Sequence, residues 1–596
     1  MIESVNHDAF YVTGAWRDER LGVYAGWTAL SDSSFSEMPL RNENGSVTLI
    51  FSGEEYSEPR TSRSTKSESN HLIGNHASLL VRTYEQERSF PDSLNGRFHG
   101  LVADCNREIA MLFNDRFGMH RLCYYESQDA FYFAAEAKAI LAVCPELRRL
   151  DGQSAGEFVA CGAVLENRSL FHNIRLIPGG SAWTFQDGAL KRKSTYFRPD
   201  EWEQQELLDP EEHYRQIAST FAQSLSRCFA GTAPIGMSMT GGLDTRMILA
   251  GWKPSSNSLP CYTFGSMFRE NQDVRIARRV ARACGQSHQV LRAGKEFLSR
   301  FAHYADRAVY LTDGRVDVGR APDLYLNEKA REIAPVRMTG LYGGEILRCV
   351  SSFKPVEPAG GGFCPDFLEH IRQAKETYTA IEQCHPVSFA AFRQNPWCLS
   401  GSLALEETQL TVRTPFLDND FVRTVFRSPA SALSSNEVSL RLIADGSSDL
   451  LRIRTDRGLT ANGNRLSRGL LEFLFKAEYA YDSGMPQWLA RLNHALAFLR
   501  LERIFLGQHK PFHFRVWYRD DLAEYVQDML LSERALSRPY IERKRLEAIV
   551  RGHVKGNRNF TSELHKLLTL ELIQQRFLES PRAPVREHLA CKPFPS

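Results

Sequence analysis

The sequence predicts an α/β protein of several domains, and three successive textures predict it. Short β-rich runs fill residues 1–202, strands alternate with longer helices over 203–465, and residues 466–596 keep helical spacing almost throughout. A chain of 596 residues exceeds what one hydrophobic core organises, so these stretches are read as three units. Hydrophobic residues at 43% and charged residues at 24% are ordinary for a globular chain, and 73 Lys+Arg against 71 Asp+Glu leave a formal charge of +2. Charge this balanced exerts no global pull toward nucleic acid or an anionic membrane, and neither is expected as a partner.

In the first unit "GSVTLIFSG", "HGLVADC", "EIAMLFND" and "DAFYFAAE" run apolar between turn residues and are expected as strands, with a helix through "AAEAKAILAVC". Residues 57–71, "SEPRTSRSTKSESNH", are almost free of apolar side chains and read as an exposed, mobile loop. In the second unit "PIGMSM" precedes "TRMILAGW", and "PCYTF" precedes "DVRIARRVARAC", where Val274, Ala277, Val280, Ala281 and Cys284 share a helical face. Strand, loop and helix in repetition signal a parallel sheet. "KPVEPAGGGF" at 354–363 reads as a flexible insertion and is the candidate lid. The third unit holds "LEFLFKAEYAY", "WLARLNHALAFLRLERIFL", "DDLAEYVQDMLLS" and "SELHKLLTLELIQQRFL", all spaced for helices. The basic run near 533–550 is interleaved with acids and reads as a solvated helix face.

Twelve cysteines show no C-x-x-C pair and are expected as reduced thiols; the first, Cys105, is expected inside a strand. Seventeen histidines lack H-E-x-x-H spacing, so no zinc site is expected, and His288 reads as structural or substrate-side. The opening "MIESVNHDAF" has no basic segment leading into an apolar one, and no run of about 18 apolar residues occurs, so a cytoplasmic location is expected. Oligomeric state is not encoded legibly; a homodimer is compatible with the sequence.

The stretch with the most chemistry is "MTGGLDT", which follows a strand and opens a helix. Such a turn leaves backbone N–H groups at the positive end of the helix dipole, a natural anion site. Gly241 and Gly242 let the backbone approach a phosphate closely, and Thr240 and Thr245 add hydroxyls. Asp244 repels polyphosphate unless a divalent cation lies between them. The G-x-x-x-x-G-K-S/T loop is absent, which argues against a Walker-type site.

This loop resembles the S-G-G-L-D-S pyrophosphate loop of the asparagine synthetase family, which includes β-lactam synthetases and lasso-peptide cyclases. "YTFGSMFRENQDVRIARRVARACGQSHQV" is similar to the family's nucleotide-side strand and helix, "TGLYGGEIL" to its S-G-x-G-x-D-E segment, and "VRTPFLDNDFVRTVFRSP" to its R-x-P-F-L-D segment. Upstream, "IFSGEEY", "LNGRFHGLVADCNREIAMLFNDRFGMHRLCYYE", "FYFAAEAKAILA" and "SLFHNIRLIPGG" resemble its glutamine amidotransferase domain. The resemblance implies an αββα sandwich of the Ntn, class II amidotransferase type over 1–202, then a doubly wound parallel α/β domain of the PP-loop type with a helical C-terminal part. It also implies ATP and Mg²⁺ as cofactors, adenylation of a small-molecule or peptide carboxylate, and displacement of AMP by an amine or ammonia.

Residue by residue, the resemblance assigns Thr240, Gly241, Gly242, Asp244 and Thr245 to pyrophosphate, Gly265, Thr339 and Gly340 to the adenosine side, and Asp244 with Glu345 to the metal. Several positions depart from the pattern. Ile2 stands where the family's glutaminase has its nucleophilic Cys, and Ser52, before Gly53, replaces an oxyanion-hole Asn; losing the nucleophile removes the covalent route. The glutaminase half is therefore expected to be inactive. Gly344 replaces the acid before Glu345, and Asp456 replaces a Lys that stabilises charge during adenylation, leaving Arg454 or Arg457 to supply the cation. The expected activity is an asparagine synthetase-like amidoligase acting on aspartate or another acid, the alternatives being an intramolecular amide-forming cyclase or a non-catalytic nucleotide-binding scaffold.

Overall fold

The computed structural model describes residues 1–33, 35–57, 76–458, 465–499 and 502–579. Apart from Ser57, the apolar-poor stretch 57–71 lies outside the described residues.

Eleven strands build the N-terminal part. They are β1 (Tyr11–Asp18), β2 (Val23–Leu30), β3 (Leu40–Arg41), β4 (Val47–Glu55), β5 (Gly96–Asp104), β6 (Ile109–Asn114), β7 (Cys123–Glu126), β8 (Phe131–Ala134), β9 (Arg175–Leu176), β10 (Ser181–Gln186) and β11 (Ala189–Thr195). The main sheet runs β11-β10-β6-β5-β4-β3. Consecutive residues of β4 and β5 are buried, which requires cover on both faces. On one face the helix His76–Gln86 sets Leu80, Val81 and Tyr84 against Phe51, Phe98 and Phe113. On the other, Leu101, Leu112, Trp183 and Phe185 meet the β1-β2 hairpin and the β8-β7-β9 sheet through Val23, Ala25, Tyr124 and Phe131. Helix Ala137–Val143 closes the far side by packing Ala137, Ile140 and Leu141 near Cys123. The layers are helix, sheet, sheet, helix, as the resemblance implies.

The next sheet is wholly parallel. It comprises β12 (Ile235–Ser238), β13 (Cys261–Gly265), β14 (His288–Arg292), β15 (Val336–Met338) and β16 (Thr411–Arg413), in the order β14-β13-β12-β15-β16. The chain enters at the centre, winds outward to β14, then returns to the other side of β12. This reversal is a topological switch point, and in open α/β sheets the crevice beyond the strands' C-terminal ends at that point binds ligands. Helices cover both faces: Pro210–Cys228, Asp244–Trp252 and Gln272–Ala283 share one core with Met237 and Met338, and Ala330 packs on Tyr262 and Leu410 opposite. On Gln272–Ala283 the predicted face is buried at Val274, Ala277, Val280 and Ala281, with Cys284 half-buried at its end.

Among the described residues beyond 465 the chain is helical and packs on the second unit through Trp517 and Tyr518, both fully buried. The basic run at 533–550 is paired internally: Arg538 with Glu571, and Arg543 with Glu533.

Two expectations are corrected. The stretch 354–363 is not a free lid. Val356 N–H donates to Ala160 O at 2.9 Å, Ala359 N–H to Glu563 Oε1 at 3.0 Å, and Phe363 bridges Ile541, so this segment ties the N-terminal part to the C-terminal helices. Its glycines serve close packing, since a Cβ at Gly360 would lie 2.7 Å from Ile549 Cδ1. Cys105 falls one residue beyond β5, in the turn to β6, and its thiol donates to Asp18 Oδ2 at 3.2 Å.

The first two units are latched by the segment "RTPFLDN". Arg413 donates to both carboxylate oxygens of Glu54 at 2.5 and 3.1 Å, and also to the carbonyls of Cys228 and Ala230. Asn95 donates to Asp418 Oδ2 at 2.9 Å and accepts from the Asn419 amide at 2.9 Å. Arg97 pairs with Glu407 at 2.9 Å.

Candidate active site

The loop from Met239 to Asp244 leaves the C-terminal end of β12 and passes directly into the helix Asp244–Trp252. Leu243, at the helix start, supplies no side-chain cap, so the first-turn N–H groups have no side-chain acceptor from the N-cap. Thr245 Oγ1 is buried without a hydrogen-bond partner. Thr240 is exposed and its hydroxyl accepts from the Gly242 amide at 3.2 Å.

The two glycines differ in role. A Cβ at Gly242 would meet only Thr240 Oγ1, at 3.3 Å, so this residue borders open space. A Cβ at Gly241 would lie 2.9 Å from Asp273 Oδ1 and 3.1 Å from Asp456 Cβ, and Gly241 N–H already donates to Asp273 Oδ1 at 2.7 Å. Gly241 therefore admits Asp273 and Asp456, whereas the place of a Cβ at Gly242 is left clear but for the Thr240 hydroxyl.

Arg246, 2% exposed on the inner face of the same helix, donates to the carbonyls of Leu450, Ile453 and Gly241. That clamp presses the segment 450–456 onto the loop, and the Asp456 amide donates to Gly241 O at 3.2 Å. Asp456 thus brings a carboxylate to the loop where the resemblance implies a Lys. Arg457 and Arg454 are both exposed; Arg457 stands 5.2 Å from the Phe475 ring centre, and its charge favours ionised Asp244. Asp273 is pushed up to about 6, first by burial and then by Asp456, against the pull of the Gly241 amide and His509.

The loop after β15 forms the other wall. A Cβ at Gly340 would lie 2.7 Å from the Thr245 amide nitrogen, and one at Gly343 would lie 2.7 Å from Asp244 Cγ, so neither position admits a side chain. Thr339 is buried and its hydroxyl accepts from the Leu341 amide at 3.3 Å. Glu345 is half-buried, accepts from Ser352 Oγ at 2.8 Å, and has its carboxyl raised chiefly by burial. Gly265 has a packing reason of its own: a Cβ there would come within 2.6 Å of Val290 Cγ1. His288 Nε2 lies 2.9 Å from Thr263 Oγ1, a structural contact on the sheet.

Asp244 is held by Arg348, whose Nη2 lies 2.8 and 3.1 Å from its two carboxylate oxygens. Burial raises the Asp244 carboxyl, and Arg348 acts in the opposite direction. Among the described residues no three His, Cys, Asp or Glu side chains gather to hold a metal. With Gly344 in place of the second acid and Asp244 engaged by a guanidinium, the residues present do not fit a Mg²⁺ ion held by the protein.

In the N-terminal sandwich, Ile2 belongs to a helical turn, Ile2–Val5, and packs against Gly26 of β2. Ser52 Oγ lies 2.8 Å from His120 Nε2, and burial holds that imidazole well below its ordinary range. Gly53 has φ +112° with Arg97 O against the place of a Cβ, so only glycine fits.

Residues 1–197 match the family model for the glutamine amidotransferase domain, and residues 216–360 match the model for asparagine synthase. The chain belongs to the asparagine synthase family. It is similar to glutamine-hydrolyzing asparagine synthetase 1 of Bacillus subtilis, with 22% identity over 87% of this chain and 84% of that protein. Glutamine-hydrolyzing asparagine synthetase 2 of the same organism is 26% identical over 46% of this chain and 38% of its own length. Amidase chry2 of Gibberella zeae is 22% identical over 50% and 47%. This asparagine synthase family member is an asparagine synthetase-like amidoligase, a carbon–nitrogen ligase. The family uses ATP, and its substrates are, in general terms, carboxylates and an amine or ammonia. No helix among the described residues is long and apolar enough to cross a membrane.

Sequence reasoning missed Asp273, Arg246 and Arg348. The last left a local trace: in "GGEILR" an arginine stands four residues after the glycine that replaces the family's acid, so both share a helix face.

Proposed function

We propose that the loop Thr240–Thr245 holds the β- and γ-phosphates of ATP while a bound carboxylate attacks the α-phosphorus and pyrophosphate leaves. An amine or ammonia then attacks the acyl carbon and expels AMP, giving the amide. The observation that carries this reading is the uncapped helix start at the switch point, where Gly242 has only Thr240 Oγ1 near the place of a Cβ and the buried Thr245 hydroxyl has no hydrogen-bond partner. Backbone N–H groups of the first turn and the two Thr hydroxyls supply donors to the leaving pyrophosphate. Thr339 and Gly340 line the nucleoside side, and Arg457 supplies positive charge for adenylation. Glu345 adds a second carboxylate of the same sign as Asp244, and the charge of Asp244 helps burial to raise the Glu345 carboxyl.

The amidotransferase-like domain is assigned no glutamine hydrolysis, because Ile2 carries neither thiol nor hydroxyl. Nitrogen then enters as free ammonia or as an amine of the second substrate, and the same loss favours intramolecular amide closure as the second reading. ATP–pyrophosphate exchange over a panel of carboxylates tests the proposal. Exchange with aspartate supports the intermolecular reaction, exchange only with an amine-bearing acid or peptide supports closure, no exchange in a protein that still binds ATP overturns both in favour of a nucleotide-binding scaffold, and no ATP binding overturns all three.

A further inference from the structure

We propose that Arg348 takes the place of the metal ion at this loop, neutralising Asp244 and offering its free N–H donors to the pyrophosphate oxygens. The inference rests on the ATP reading above and deepens it.

Arg348 ends the helix Gly343–Arg348, one turn after Gly344. Helical side chains lean toward the N-terminus, so its guanidinium returns along the face that Gly344 leaves bare. A Cβ at Gly344 would lie 3.2 Å from Arg348 Nη2. The cation therefore stands where the carboxylate of a second metal ligand would reach. It is also fixed there. Arg348 Nη1 donates to the hydroxyl of Ser439, itself 1% exposed, at 2.9 Å, and Nη2 donates to both oxygens of Asp244. At 14% side-chain exposure for Arg348 and 23% for Asp244 the pair is only partly screened by solvent.

A bare carboxylate beside polyphosphate is repulsive, and the usual remedy is a divalent ion shared between them. Here the remedy is built into the chain. The Asp244–Arg348 pair is neutral as a unit, and with Nη2 on Asp244 and one Nη1–H on Ser439, the second Nη1–H and the Nε–H are the donors left for phosphate oxygens. Gly344 and Arg348 then form one change: removal of the second acid makes room for the arginine that replaces the ion it would have bound.

The test is isothermal titration of ATP into the full chain, once with excess MgCl₂ and once with EDTA. For the wild type the affinity changes by less than about threefold between the two conditions. Arg348→Ala leaves Asp244 facing phosphate, so binding in EDTA falls about tenfold or more and Mg²⁺ recovers it. Arg348→Lys keeps the charge and retains binding in EDTA within about tenfold of wild type. Wild-type binding that collapses in EDTA, or an Arg348→Ala protein that stays indifferent to Mg²⁺ at wild-type affinity, overturns the inference and leaves the ATP reading standing. No ATP binding by the wild type in either condition overturns both.

Discussion

Replacing Asp273 by Asn stabilises this protein at pH 8 and removes a pH dependence that the wild type shows between about pH 4 and 6. Asp273 sits in the first turn of Gln272–Ala283 with its Oδ1 on the Gly241 amide and Asp456 close by. Burial and that neighbouring carboxylate lift it from 3.8 to about 6. In this window the folded state keeps a proton that the unfolded chain has lost. Stability therefore falls as pH rises through it, and the full cost is present by about pH 7 and above. At about 1.4 kcal/mol per unit the shift corresponds to at most about 3 kcal/mol, and partial solvent screening reduces this to about 1–2 kcal/mol. Asn keeps an oxygen acceptor for Gly241 N–H and removes the charge. Urea unfolding at pH 4, 6 and 8 reads the effect: wild type and Asp273→Asn converge at pH 4, and the variant is more stable at pH 8 by about 1–2 kcal/mol. A variant less stable than wild type at pH 8, or one retaining the wild-type slope, refutes the reasoning.

Arg413→Ala strips the Glu54 carboxylate of its cationic partner inside the domain interface, leaving it only the Tyr56 hydroxyl among the described residues, and costs about 3 kcal/mol in urea unfolding. Adding Glu54→Leu removes the stranded charge and recovers over half of that loss; no recovery contradicts the latch. Glutamine incubated with the protein releases no glutamate above the buffer rate in a coupled dehydrogenase assay, and an enzyme-dependent release contradicts the role given to Ile2.

The features legible in the sequence are those set by neighbours along the chain. "PIGMSM" is a buried parallel strand because small and apolar residues run together, and "TGGLDT" announces its turn through two glycines and a helix-opening acid. The strands of the first unit could be read because β4, β5 and β6 are apolar between polar turns. What escaped depends on contacts far apart in sequence. Asp273 meets Gly241 across 32 residues and Arg348 meets Asp244 across 104, so neither partner was visible locally. The run at 354–363 misled for a physical reason: its Gly and Pro resemble mobile linker, yet here the glycines exist so that Ile549 and Arg545 can approach the backbone. "RTPFLDN" showed a family pattern without showing that Arg413 and Asp418 bind the other domain.

The central claim is that the crevice beside Gly242 receives the phosphates of ATP. Gly242→Leu tests it most directly, because the nearest atom to a Cβ there is Thr240 Oγ1 at 3.3 Å, a tight contact with an exposed side chain that can turn away, so the new side chain is accommodated but fills the space assigned to phosphate. In ATP–pyrophosphate exchange with the carboxylate that the wild type accepts, the variant loses about 100-fold or more while its unfolding midpoint is unchanged. Exchange retained at the wild-type rate in a folded Gly242→Leu protein contradicts the account.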